Sequence, residues 1–241
     1  MSFYFLSGRL PSPLGKRSVA VCLSVIAALL TMATVFANAG NPVIDARPAP
    51  DLHPAGMQSS EAWGRAPSME LRGFGNSESQ KTEVRALWNE DWLFFAFECA
   101  DSSVVSPGEK DGIDHFRLGD TAEVFLARRG EASYSEVHAT PAGWKTLYFC
   151  RDYRQPTDPP RAAEKTSVAA SKTERGWRAF IAVPRVLLGG AEETSEYDVF
   201  LARYDYESAG SKPVLSSFPA QRGDKPDFHR RGDYAILRLK P

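Results

Sequence analysis

Cysteine is scarce in this chain, and its scarcity excludes one class of fold at once. Three cysteines in 241 residues cannot staple a small disulfide scaffold, which needs several bridges in place of a core. Cys22 lies in an N-terminal apolar run, so Cys99 and Cys150 are the pair that matters. They are compatible with one disulfide or with two separate buried thiols, because sequence does not report Cα separation. An excess of either charge is also lacking. Lys and Arg total 29 against 30 Asp and Glu, a net charge of −1, without the basic face of a general nucleic-acid binder. No stretch keeps a 3.6-residue apolar period beyond a turn or two, which excludes helical bundles and coiled coils. G-x-S-x-G, H-E-x-x-H and glycine-rich phosphate loops are absent. The histidines His53, His115, His138 and His229 are far apart, and no pair has helical metal-ligand spacing.

What is present begins with an export signal. Arg9, Lys16 and Arg17 precede an almost unbroken apolar run over 18–36, and Ala37-Asn38-Ala39 has the small-x-small form of a signal-peptidase site. Residues 1–39 therefore read as a secretory signal peptide, with Gly40 as the mature start and a periplasmic or secreted destination. No membrane insertion is expected after cleavage near Ala39. Residues 40–58, rich in Pro, Ala and Asp, read as an extended leader, and 59–241 as one domain.

That domain is organised around residues 82–126. Two apolar runs, 84–88 and 92–100, are split by Asn89-Glu90-Asp91, which predicts a β-hairpin. A loop rich in Gly, Asp and Pro covers 101–119, and a third strand covers 121–127. Strict alternation puts Leu93, Phe95, Phe97 and Cys99 on one face, where they form a core with Val124 and Leu126. Further strands are predicted at 134–139, 144–150, 166–171, 176–183, 197–204 and 233–239. The count of roughly nine to eleven antiparallel strands predicts an all-β, jelly-roll-like sandwich. The proline- and charge-rich segments 151–165 and 205–232 read as surface loops.

The central stretch resembles the family-nine carbohydrate-binding modules. It carries the pieces Trp88-Asn89-Glu90, an aromatic strand ending in Asp101, a variable loop, and Asp120-Thr121 followed by Glu123-Val124-Phe125. The resemblance implies a β-sandwich that binds saccharides, at a chain end, without cleaving them. Such modules are often appended to glycoside hydrolases, so a saccharide ligand and a separate hydrolase are the implied partners. In the relatives two tryptophans sandwich the terminal sugar; at the matching places this chain has Phe116 and Phe228. Polar readers of the hydroxyls are expected at Glu136 and His138, which alternate on one strand and so share a face. Glu123, on the strand face of Phe125, and Arg203, on the 197–204 strand, are expected to join them.

The loop acids Asp101, Asp111, Asp114 and Asp120 offer the hard oxygen ligands that calcium takes, and several relatives carry structural calcium. Their spacing fits no EF-hand, and no other cofactor is expected. Asp120 and Glu123 are three residues apart, on opposite faces if in one strand, which is poor geometry for a glycosidase acid and base. The rival to a sugar binder is an interaction module on the same fold, docking an envelope protein; phenylalanine in place of tryptophan favours it.

Overall fold

The computed structural model describes residues 40–75, 77–188 and 194–241; the expected signal peptide, 1–39, lies outside them. Among the described residues fourteen strands follow one another. They are β1 (Val43–Pro48), β2 (Ser68–Glu70), β3 (Arg72–Gly73), β4 (Thr82–Trp88), β5 (Trp92–Ala100), β6 (Thr121–Arg128) and β7 (Tyr134–Ala139). Then come β8 (Lys145–Asp152), β9 (Gln155–Thr157), β10 (Ser167–Thr173), β11 (Gly176–Pro184), β12 (Glu196–Asp205), β13 (Val214–Phe218) and β14 (Ala235–Leu239). The helical pieces are short 3₁₀ turns. Among the described residues no helix is long and apolar enough to cross a membrane.

The larger sheet runs β9-β8-β7-β6-β12, after which β13 and β14 share the next position by pairing with opposite ends of β12. The smaller sheet runs β10-β11-β5-β4. The hairpin around Asn89 forms as expected: Asn89 Oδ1 accepts the N–H groups of Asp91 and Trp92, closing the turn. Facing side chains from both sheets make one continuous core. Leu93, Phe95, Phe97 and Cys99 meet Trp177, Ile181 and Val183 on their own sheet and Val124, Leu126, Val137, Val199 and Leu201 across it. Each is almost wholly withdrawn from water, and such burial of apolar area is the main favourable contribution to folding.

The structure refines several expectations. Residues 40–58, read as an extended leader with a possible edge strand at 42–45, contain β1, which lies between the two sheets rather than at an edge, and the compact unit begins at Asn41. Val43–Ala46 pairs with β14 and Arg47–Pro48 with β4, both in parallel, so the sandwich is not wholly antiparallel. The two expected loops also contain ladder: β9 extends β8 within 151–165, and β13 pairs with β12 within 205–232. With the very short β2 and β3 these account for the higher strand count. Of the two readings open for the cysteines, the structure shows the second: both are free and buried. Cys99 faces the core and Cys150 lies among the residues on the outer face of the larger sheet.

Both outer faces are partly covered. On the smaller sheet Met57, Leu52 and Trp63 pack over Phe94 and Phe180. Trp63 donates its indole N–H to the Met57 carbonyl at 2.7 Å, which fixes it as a lid over this face. On the larger sheet, a second apolar cluster contains Phe125, Phe200, Phe228 and Tyr234. The candidate site lies beside it.

Candidate functional site

Strand register places the site residues. Directly opposed residues in an antiparallel ladder share a face. His138 opposes Glu123, and Glu136 opposes Phe125, between β7 and β6. Phe125 in turn opposes Phe200 across β6 and β12, while Tyr148 opposes Glu136 across β8 and β7. The outer face of the larger sheet thus carries a polar trio, Glu123, His138 and Glu136, edged by aromatic rings.

Two loops wall this face. The loop 101–119 is tied down along its length. Thr146 and Tyr148 hydroxyls donate to the Ile113 carbonyl and to Asp114, both at 2.6 Å. Tyr206 donates its hydroxyl to the Phe116 carbonyl at 2.8 Å. Phe116 is thereby held, half-buried, 5.9 Å from His138 and 5.6 Å from Tyr204 by ring centroid. The loop before β14 is held by the Tyr234 hydroxyl, which donates to the Phe228 carbonyl at 3.1 Å. Together these elements enclose a cavity of about 260 Å³ lined by Phe116, Tyr204, Phe228, Glu123, Glu136 and His138, with Arg154, Asp227 and His229.

The two expected platforms therefore do meet at one cavity, but not as equals. Phe228 is only 6% exposed. Its ring packs against Tyr204 and Phe200, both at 5.5 Å, and against Phe125 at 6.0 Å. It is a buried wall, whereas Phe116 keeps part of its ring open. Tyr204 lies between them, a ring that sequence reasoning passed over although it stands in phase with Phe200.

His138 is buried to 3% exposure with a carboxylate on each side. Its Nδ1 is 3.3 Å from Glu123 and its Nε2 3.5 Å from Glu136. These are ion-pair separations; neither nitrogen has a partner in hydrogen-bond geometry. Burial alone would depress the imidazole, but Glu123 and Glu136 outweigh it and hold the pKa above the ordinary value. Burial pushes Glu123 up to about 7 against the pull of His138. Glu136 feels the same burial, yet His138 and His229 bring it down to about 2. His229 approaches Glu136 to 3.2 Å and the Tyr134 hydroxyl to 2.8 Å. Both carboxylates turn on the same imidazole.

Arg203 is a correction. It is wholly buried and faces the inside of the sandwich, not the cavity. The period-2 phase of β12 decides this: Tyr204 and Ala202 point outward, so Arg203 points inward. Its Nη2 donates to Asp101 at 2.9 Å and to Asp205 at 3.0 Å, and its Nη1 to Thr82 and to the Ala100 carbonyl.

The same cluster answers the calcium expectation. Asp101, Asp120 and Asp205 bring carboxylate oxygens within 4.8 Å of one another. The other two loop acids turn elsewhere, Asp111 to the Lys145 N–H and Asp114 to Tyr148 and Arg117. Of the three that meet, two are already held by the Arg203 guanidinium. Asp120 accepts the Val105 and Tyr206 N–H groups, and burial raises it to about 7. Calcium takes six to eight oxygens; this donor set, filled by an internal cation, does not fit it.

No family model and no curated protein matches the sequence. Solved structures do match. One is a candidate carbohydrate-binding protein of Bacteroides uniformis, with a TM-score of 0.72 at 10% identity, covering 83% of this chain and all of that one. Another is a family-nine carbohydrate-binding module of Caldicellulosiruptor kristjanssonii in complex with cellotriose, with a TM-score of 0.61 at 11% identity, covering 83% and 93% of the two chains. The fold is that of the family-nine carbohydrate-binding modules. A second structure from that organism, a family-nine module in complex with glucose, gives a TM-score of 0.62 at 10% identity over 82% of this chain and 94% of its own. The family-nine fold thus extends over nearly all the described residues, although the likeness in sequence is only 10–11%.

Proposed function

We propose that this chain is an exported, non-catalytic carbohydrate-binding module that seats one sugar ring, at a chain end, on the outer face of its larger sheet. The reading rests on the cavity between the Phe116 and Phe228 loops. It pairs an apolar wall with a buried polar floor, the combination a sugar ring needs: C–H faces stack on aromatic rings and hydroxyls meet fixed polar groups. Its volume of about 260 Å³ is just under the roughly 300–1,000 Å³ of pockets for drug-sized ligands, which suits a single ring better than a length of chain. The sugars bound by the two Caldicellulosiruptor modules, glucose and cellotriose, support the same class of ligand. Export rests on the sequence of residues 1–39. With Glu123 and Glu136 both turned on His138, the protein would work beside a separate glycoside hydrolase in polysaccharide breakdown.

The second reading, an envelope-protein interaction module, draws on the burial of Phe228, which leaves Phe116 as the ring with an open face. A glycan array followed by calorimetry separates the two. The saccharide reading expects a defined sugar to bind and Phe116→Ala to weaken it by at least about tenfold, near 1.4 kcal/mol, with the variant still folded. An array on which no glycan binds transfers the site to the interaction module.

A further inference from the structure

The turn between β8 and β9 holds an unusual residue. Arg154 is the one non-glycine with positive φ among the described residues, at +50°. Glycine or asparagine enters that region at less steric cost, and such outliers concentrate at ligand-binding sites. Its backbone N–H donates to the Tyr134 hydroxyl at 3.2 Å, and its side chain lines the cavity. There Nη2 donates to Asp227 at 3.0 Å. Asp227, on the same cavity wall, does not depend on that bond for its position. Its carboxylate also accepts the Tyr153 hydroxyl at 2.9 Å and the His229 N–H at 3.1 Å, and its own N–H donates to Gln221 at 2.5 Å. The arginine is thus more than is needed to hold the loop. Its side chain is 53% exposed, with N–H groups left over after the one bond to Asp227.

We propose that Arg154 and Asp227 are the specificity-determining pair of this cavity, reading two adjacent hydroxyls at the edge of the bound ring. This rests on the saccharide reading above. A hydroxyl both donates and accepts. A guanidinium beside a carboxylate presents donors and an acceptor side by side with no net charge, so one hydroxyl can accept from Arg154 while its neighbour donates to Asp227. Inverting either carbon moves its hydroxyl out of reach and leaves the pair unmatched, which is a strong source of discrimination. The role expected of Arg203 falls instead to an arginine on a different strand pair.

The test uses the full-length protein and the methyl glycosides of glucose, galactose, mannose and xylose, titrated by calorimetry. Wild type should prefer one epimer by at least about tenfold. Arg154→Lys, which keeps the charge but loses the planar fork, and Asp227→Asn should each reduce that preference to about threefold or less. Phe116→Ala should weaken all four sugars alike and leave the preference intact. Arg154→Gly relieves the backbone constraint and keeps the variant folded; its melting temperature should not fall, yet it too should lose discrimination. If Arg154→Gly and Asp227→Asn retain the wild-type preference, or if wild type shows none, the pair does not read the sugar and the inference fails while sugar binding stands. If wild type binds none of the four, the saccharide reading itself fails, and this inference with it.

Discussion

Replacing Arg203 by methionine should unfold a large part of what holds the two sheets in register. The side chain is fully buried, as is that of Asp101, and Asp205 is 7% exposed. Methionine has similar reach but no charge, so Asp101 and Asp205 would face each other inside the sandwich without their shared cation. Asp101 would keep the Trp177 indole N–H and the Ser103 N–H, and Asp205 would keep Gln80. Those neutral donors do not replace a guanidinium. Removing one partner of a buried ion pair costs about 3–5 kcal/mol, out of about 5–15 kcal/mol for a typical domain. The assay is equilibrium unfolding in urea followed by tryptophan fluorescence, with Trp177 as a local reporter. Acid should narrow the deficit. Burial already holds Asp205 above its ordinary pKa, and without the arginine it takes up a proton more readily. Arg203→Lys, a point charge in place of a fork, should fall between the two. Where it remains folded it should bind sugar as wild type does, since Arg203 does not line the cavity. A loss under about 1 kcal/mol for Arg203→Met, the range of surface changes, or a deficit that grows in acid, would refute the reasoning.

Other outcomes follow from the same geometry. Phe97→Ala, at 1% exposure in the core, should cost about 3–5 kcal/mol in urea unfolding; a surface-sized loss would mean the β5 face is misassigned. Glu123 and Asp120, both raised to about 7, bind their protons more tightly folded than unfolded. Their stabilisation is complete below the ordinary carboxylate pKa and is lost as pH rises through about 7; His138, also raised, acts in the same direction. Glu136, held down to about 2, contributes above pH 4.5 and is lost as pH falls toward 2. Melting temperature should therefore peak on the acid side, at roughly pH 4.5–6, and Glu123→Gln should flatten the alkaline fall, to which Glu123 adds roughly 3 kcal/mol. A peak near pH 8 would contradict this. N-terminal sequencing of exported protein should read from Gly40; a membrane fraction retaining residues 1–39 would overturn the signal reading.

The core was legible because alternation is a local signal. Leu93, Phe95 and Phe97 announce their common face within five residues, and the structure agrees. Arg203 shows where the same signal runs out. Phe200-Leu201-Ala202-Arg203-Tyr204 has no polar alternation to fix its phase, and the partners that make an inward arginine tolerable, Asp101 and Asp205, include one 102 residues away. The polar floor was partly visible, since Glu136 and His138 alternate on one strand. That Glu123 lies across from His138 depends on the β6–β7 register, which side-chain pattern alone does not give. Arg154, Asp227 and His229 lie on loops and meet only through tertiary folding, so no spacing pointed to them. β1 was missed as a bridge because a short segment ending in proline resembles any edge strand.

The placement of β1 has a consequence in time. Val43 pairs with Ile236, so the contacts that close the larger sheet join nearly the first and the last of the described residues. Four residues later the same strand is bonded to β4 of the other sheet. A chain emerging from its N-terminus can form the β4–β5 hairpin early, since that contact is local. It cannot complete the edge of either β1 pairing with β14, or the seam between the sheets, until its final strand has been released. Closure must wait on a loop of almost 200 residues, whose entropy is met only at the end. Until then β1 can hold only the short pairing of Arg47–Pro48 with β4, and Ile44 and Ala46, buried in the finished sandwich, have no partner strand on the other side.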